Sequence, residues 1–411
     1  MKYITGKHIV FGWLAAVLVL LTGCQSDGAD TTPRQNPTME MQAYATSYVD
    51  AMPAASTRAG EWVPSGFTLY TGHDDIRLAF TQVKEEVSSI AKCYNPDIPG
   101  VNEKDAKGVF SFQNGKWGST FYLPTTGNYY LYGFMSNEGN LDNLTPAAGG
   151  YNAGATMTIT GLPTATSSDV CAIVGVKKGV VTGKNPDGSD IVSISNVKMG
   201  QFGYTIDGET NHVYLLCDHL YAALRCSIRV DATYHALRHI KLKKVWVKDC
   251  KNGEGNTLTS KTNAVISLLS NDTGASPIQS LAFTNDGTNS VVDMEQSPLY
   301  NDTDGLDLTT SYKEVQGYMA PIGMTEFTLV CQYDVYDTNV TTDHPDGNLI
   351  RQNQTAENKI NIDKLFDKNE LIDNMSMERG TRYTLKLTVN PTYLYMMSEP
   401  DLDNPTIEVG S

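Results

Sequence analysis

Charge, regularly spaced cysteine and long apolar runs are all scarce in this sequence, and each shortage excludes something. Charged side chains make up 19% of the residues and leave a net charge of −15. No cluster of Lys or Arg interrupts that acidity. The chain therefore has neither the footprint of a nucleic-acid binder nor a charge-based grip on anionic lipid. Its longest apolar run, Ile9 to Leu21, is about 13 residues, short of the roughly 20 needed to cross about 30 Å of hydrocarbon. Of the seven cysteines, Cys93, Cys171, Cys217, Cys226, Cys250 and Cys331 are scattered without a CxxC pair or a regular interval. They read mostly as small core hydrophobes, with a disulfide between two of them left open for an exported protein. GxSxG, a Walker loop, a dinucleotide fingerprint and a paired His/Cys constellation are missing as well. The expectation is a protein that is not an enzyme, with no catalytic residue, no cofactor and no metal.

What is present starts at the N-terminus. Lys2 and Lys7 give a positive start, the apolar run follows, and Leu21-Thr22-Gly23-Cys24 closes it. That is a signal peptide, residues 1–23, ending in a lipobox with Cys24 as the lipidation site. The polar, turn-rich residues after Cys24 suit a flexible tether. Within 24–58, Met39-Glu40-Met41-Gln42-Ala43-Tyr44-Ala45 alternates weakly and predicts a strand. Arg58 then stands alone among small residues, Ala54-Ala55-Ser56-Thr57-Arg58-Ala59-Gly60, where a protease cuts most easily. A strand that can be cut away would leave unpaired backbone groups and alternate apolar pockets, open to another chain's strand. A solvated charge in a linker is the plainer reading of Arg58.

Two-residue periodicity bounded by turn residues dominates the rest and predicts an all-β chain. Leu224, Cys226, Ile228 and Val230 form one face against Arg225, Ser227, Arg229 and Asp231. Tyr383, Leu385, Leu387 and Val389 alternate with Thr384, Lys386, Thr388 and Asn390, and Phe327, Leu329, Cys331 and Tyr333 with Thr328, Val330, Gln332 and Asp334. Between Leu242 and Val245 the phase slips, which predicts a bulge. Phe110 to Gln113, Asn114-Gly115, then Lys116-Trp117 predicts a hairpin on a type I′ turn. Tyr129 to Phe134 is apolar on both faces and predicts a central strand. Helix signals are few, Ile76 to Ala91 and, more weakly, Asp363 to Met375. The polar stretch Asn252 to Asn263 reads as a linker between an N-terminal sandwich, 59–262, and a C-terminal one, 263–411.

Several motifs have plainer readings. His235 and His239 stand four apart, but Ala236 takes the place of the metalloprotease Glu and no third ligand is evident in the sequence. Asn301-Asp302-Thr303-Asp304-Gly305 resembles part of a calcium loop, yet Tyr300 and Ser311 fall where its first and twelfth ligands belong, so a solvated turn is expected. Asp187-Gly188 and Asp346-Gly347, each after Pro, read as turns. The 22 tyrosines, including Tyr129, Tyr130 and Tyr132, suit an adhesive or sugar-binding surface and strand packing equally well.

Several segments follow one another in a set order: the lipobox, Thr57-Arg58-Ala59 before Trp62 and Leu69-Tyr70, Trp117 leading to Tyr129 through Met135, Val213 through Arg225 followed by Ile240 to Val247, Met319 to Ile322, and Gly380 to Tyr383 entering a last long strand. In that order they resemble the Bacteroidales fimbrillin family, the lipoprotein-borne pilins and related FimA- and Mfa-like surface proteins. The resemblance implies two tandem transthyretin-like β-sandwich domains with few short helices. It implies lipidation at Cys24, outer-membrane export, and cleavage of Arg58-Ala59 by an Arg-specific protease that frees the first strand. Assembly with other pilin subunits into a fimbrium would follow by strand exchange, through Tyr393 to Met397 and Thr406 to Val409. Those segments are short and interrupted by Pro400, Asn404 and Pro405, so a tip or minor subunit is read ahead of a shaft subunit. The other reading is a monomeric surface lipoprotein that binds a glycan or host ligand.

Overall fold

The alternation continues through the chain as strand after strand. In the computed structural model the described residues are 39–46, 48–50, 80–82, 88–94, 107–113, 116–119, 127–194, 201–204, 211–269, 277–287, 291–362, 376–389 and 406–409. The first strands are β1 (Met39–Thr46), β2 (Val49–Asp50), β3 (Phe80–Gln82), β4 (Ser88–Tyr94), β5 (Lys107–Gln113), β6 (Lys116–Ser119), β7 (Gly127–Met135) and β8 (Asn140–Ala147). Next come β9 (Gly150–Pro163), β10 (Ala165–Thr166), β11 (Cys171–Lys184), β12 (Asp190–Ile194), β13 (Gln201–Tyr204), β14 (Asn211–His219) and β15 (Ala222–Val230). One short helix, α1 (Ala232–His235), leads into β16 (His239–Asn252), β17 (Lys261–Leu269), β18 (Ile278–Asn285), β19 (Tyr300–Leu308) and β20 (Lys313–Met319). The series ends with β21 (Met324–Tyr336), β22 (Leu349–Asn361), β23 (Thr381–Val389) and β24 (Thr406–Val409).

These strands build four sheets. The largest runs β12-β11-β14-β1-β6-β5-β4-β7-β13, with β3 against β1 and a further contact between β11 and β7. The second runs β10-β20-β15-β23-β2, with β24 also on β23; the others are β19-β16-β21-β22 and β18-β17-β9-β8. Tyr132, Phe134, Val174 and Leu216 of the largest sheet share one apolar cluster with Leu144, Met157, Ile159, Ile266 and Leu268 of the β8–β18 sheet. Leu224, Ile228, Leu385 and Leu387 of the second share another with Val245, Val247, Phe327 and Leu329 of the β16–β22 sheet. The chain is an all-β protein of packed sheets, each cluster lying between two of them.

Much of the local pattern is as the sequence predicts. β7 is buried on both faces from Tyr129 to Met135 and pairs with β4 and β13. β5 and β6 form the predicted hairpin, Gln113 opposite Lys116, with Asn114-Gly115 outside the described residues. The register of β16 slips between Leu242 and Lys244 on both of its neighbours, where the phase break falls. On β15, however, the outer face is drier than its polar residues suggest. Ser227 is buried, and the guanidinium groups of Arg225 and Arg229 lie along the sheet, donating to Thr384 and Thr388 of β23. Their long apolar stems cover surface that shorter polar residues would leave wet.

Two readings change. The apolar spacing of Ile76 to Ala91 suggests a helix, but its described parts are strands: Phe80–Gln82 pairs with β1, and Ser88 onward lies between β5 and β7. With a partner on each edge, β4 satisfies its backbone groups, and this outweighs a 3.6-residue pattern of few apolar positions. Asp363 to Met375 lies outside the described residues. The polar stretch 252–263 is built into the fold: Asn252 caps a tight turn by accepting from the amides of Glu254 and Asn256, Leu258 and Thr262 are buried, and β17 begins within it. There the chain passes from β16 in one apolar cluster to β17 in the other, where β17 pairs with β9.

Candidate functional site

The N-terminal strand is an interior strand. β1 runs parallel to β14 in unbroken register from Met39 opposite Asn211 to Ala45 opposite Cys217. Its other edge is shared: Met41 meets Trp117 of β6, and Tyr44 to Thr46 meet β3. Ala43 is fully buried in this arrangement. Two residues past its end the chain enters a different sheet, where Val49 and Asp50 of β2 pair in parallel with Thr381 and Arg382 of β23.

Tyr48, at the crossing, is held by a partly buried polar network. Its hydroxyl donates to Asp169 Oδ1 at 2.6 Å, and its ring stacks on His219 with centroids 3.8 Å apart. The ring of Tyr318 lies 5.6 Å away on another side. His219 Nδ1 is 2.8 Å from the other Asp169 oxygen and 3.4 Å from Cys171 Sγ. Behind it Arg379 donates to Asp218 Oδ2 at 2.9 Å and to the His219 carbonyl at 3.2 Å. Burial and the adjacent Asp169 charge push the Tyr48 hydroxyl well above its ordinary pKa, so it stays a donor. Burial alone would raise the Asp169 carboxyl, but His219, with the hydrogen bonds from Tyr48 and Cys171, outweighs it and holds the group below its ordinary value.

Asp169, Cys171 and His219 place three potential ligand atoms within 4.8 Å of one another. In this arrangement those atoms already answer each other, and burial followed by the Asp169 charge raises the Cys171 thiol well above its ordinary pKa. A metal would need the thiolate. A second cluster, His239, Asp307 and Asp346, is closed by Lys241, whose ammonium lies 2.7 Å from Asp346 and 3.8 Å from Asp307, where a cation would sit. His239 joins it through Asp307 at 3.0 Å and the Asp346 carbonyl at 3.0 Å. His235 ends α1 while His239 begins β16, so the two do not share a helix face.

Asp187-Gly188 and Asp346-Gly347 are turns, whereas Asn301 to Gly305 lies within β19, in the bulge where its register against β16 shifts. Asp302 accepts from the amides of Asp304 and Gly305, and Asp187 from the amide and hydroxyl of Ser189. Cys171, Cys217, Cys226, Cys250 and Cys331 are free and buried; Cys226, Cys250 and Cys331 lie in an apolar cluster as core hydrophobes, whereas Cys171 faces His219. Burial raises the thiols of Cys250 and Cys331 to about 12. These five are expected to resist an aromatic disulfide reagent at pH 8 in the native protein and to react once it is unfolded. Peptide mass mapping checks this, and native labelling at any of the five would contradict the packing.

Cys24, Arg58 and Ala59 lie outside the described residues. The strand predicted upstream of Arg58 is present, but Tyr48, Asp169, His219 and Arg379 escaped sequence reasoning. They come from four separated segments and form no spacing motif. A weak signal exists only in Cys217-Asp218-His219, three polar or polarisable residues ending a strand that is otherwise apolar.

A fold of packed sheets with an interior N-terminal strand defines the class, an all-β sandwich protein. Among solved structures the chain is similar to a candidate cell adhesion protein of Bacteroides fragilis, at 10% identity over 92% of this chain and 98% of that one, with a TM-score of 0.40. It is also similar to a fimbrial protein of Bacteroides vulgatus, at 12% identity over 79% and 92% with a TM-score of 0.26. A third is the fimbrial anchor protein Mfa2 of Porphyromonas gingivalis, at 10% identity over 90% and 95% with a TM-score of 0.19. No family model matches the chain, and no curated protein matches it.

Proposed function

We propose that this protein is a subunit of a cell-surface fimbria, exported as a lipoprotein through Cys24 and contributing to adhesion as a tip or minor subunit. The observation that carries the reading is the place of β1. A strand just upstream of an isolated Arg58 lies between β14 on one side and β6 and β3 on the other. Cutting at Arg58-Ala59 by an Arg-specific protease frees the segment that holds it. Its departure bares an edge of β14 with unpaired donors and acceptors, which a strand of another pilin subunit can fill. Within the same chain β24 pairs antiparallel with β23, from Thr406 opposite Thr388 to Val409 opposite Leu385. A C-terminal strand that completes its own sheet favours a tip or minor position over a shaft subunit.

Intact mass and N-terminal sequencing of the protein from cell surfaces test this, alongside an Arg58→Ala variant. The expected wild-type chain starts at Ala59 within detergent-resistant assemblies, and the variant stays uncleaved and outside them. A wild-type chain that still starts at lipidated Cys24 and runs as a monomer would reject the processed-subunit reading and favour a surface lipoprotein that binds a glycan or host ligand.

A further inference from the structure

We propose that Asp169, His219 and Tyr318 form a socket for a tyrosine side chain, filled in this chain by its own Tyr48, and that the strand replacing residues 39–50 must bring a tyrosine to the same place. This rests on the removable-strand reading above and adds to it the chemistry by which a replacement strand is selected.

The socket is specific in three ways. Its wall is the His219 imidazole, 4% exposed as a side chain and fixed by Asp169 on Nδ1, so it offers a rigid flat face to an aromatic ring. Its floor is a carboxylate oxygen, Asp169 Oδ1, 2.6 Å from the Tyr48 hydroxyl, while the second oxygen faces His219. A phenylalanine would fill the same space and leave that oxygen without this donor. A serine or threonine would reach neither the ring nor the oxygen. Hydrogen bonds to charged groups are worth more than neutral ones, and a group left unmatched inside a protein costs more than the bond gained.

The third feature is position. Tyr48 lies between β1, in the largest sheet, and β2, on β23 in the second. Backbone pairing along β14 tolerates many side chains, and it tolerates sliding where the side chains do not differ. A single phenol that must meet Asp169 fixes the register of the incoming strand to one residue. Arg379 supports the site by bonding both Asp218 and the His219 carbonyl, so the socket is held from the turn that leads into β23, the strand that receives β2, as well as from β14.

The test uses the uncleaved chain from residue 25 onward with a sequence-specific protease site placed across residues 55–60, nicked in the folded state so that the N-terminal fragment stays bound through β1. Exchange of that fragment is then followed by native mass spectrometry against excess synthetic peptide covering residues 37–50, either wild type or carrying Tyr48→Phe or Tyr48→Ala. The expected result is capture of the wild-type peptide, with the Phe peptide at least about tenfold weaker and the Ala peptide weaker still. Repeating the exchange in an Asp169→Asn chain should shrink the gap between the Tyr and Phe peptides. Equal capture of the Tyr and Phe peptides would overturn the socket and leave the removable strand intact. Failure to capture even the wild-type peptide would overturn both.

Discussion

Removing residues 39–58 is expected to turn a monomer into an aggregating protein. The deletion takes away β1, and with it the seven registered pairs to β14 and the pairings to β6 and β3. At about 1 kcal/mol net for each backbone hydrogen bond, the loss is comparable with the 5–15 kcal/mol by which a typical domain is stable. It also uncovers Ala43's buried site and a long edge of β14, whose own residues are buried from Asn211 to His219. An apolar strand with an open edge pairs with its own kind. Light scattering and thermal melting of the deleted chain against the full one measure the effect. A deleted chain that stays monomeric and melts with the parent would remove the main support for a replaceable strand.

The second large effect concerns Gly154. On β9 it adopts a φ of +145°, and a Cβ there would lie 2.0 Å from the Leu268 carbonyl oxygen and 3.0 Å from the Leu269 Cα. Both contacts are backbone of the paired strand β17, so no rotamer change relieves them. The conformation costs a non-glycine residue about 1–3 kcal/mol, and the clash adds a similar amount unless β9 and β17 separate. Gly154→Ala is therefore expected to destabilise by about 3–5 kcal/mol in urea unfolding. Gly183 provides the contrast: a Cβ there meets only the Ile191 Cδ1 atom at 3.6 Å, and its alanine variant should stay within about 1 kcal/mol of wild type. A Gly154→Ala protein as stable as the Gly183 variant would mean that the two strands do not approach as closely as described.

How far the sequence reveals this architecture depends on the range of each interaction. Alternation on β23 from Thr381 to Leu387, the hairpin joining β5 to β6 and the bulge near Lys243 depend on neighbours in the chain, and they are legible, whereas on β21 Val330 and Asp334 of the expected wet face are buried. Which strands lie side by side is a different matter. β1 meets β14 and β17 meets β9 across long stretches of sequence, and neither partnership leaves a mark on local composition. Ile76 to Ala91 shows the same limit from the other side: five apolar residues at helical intervals say little when two neighbouring strands can satisfy the backbone. The Tyr48 network is harder still. Its members are ordinary residues in ordinary contexts, and only the fold brings a phenol, an imidazole and a carboxylate together.

The parallel register between β1 and β14 also bears on how this chain carries load. Tension applied to the upstream end of β1 along its axis strains all seven registered positions at once, so the ladder must fail by shear. The same ladder pulled across its axis would open one rung at a time. Joined to the rest of the chain, β1 should therefore withstand considerable drag along its axis, and single-molecule pulling from residue 39 against residue 409 would measure it. A low, stepwise rupture at β1 would contradict it. Were Arg58-Ala59 cut, non-covalent pairing alone would keep β1 in place, so an incoming strand would displace it pair by pair and not by drawing it out along its axis.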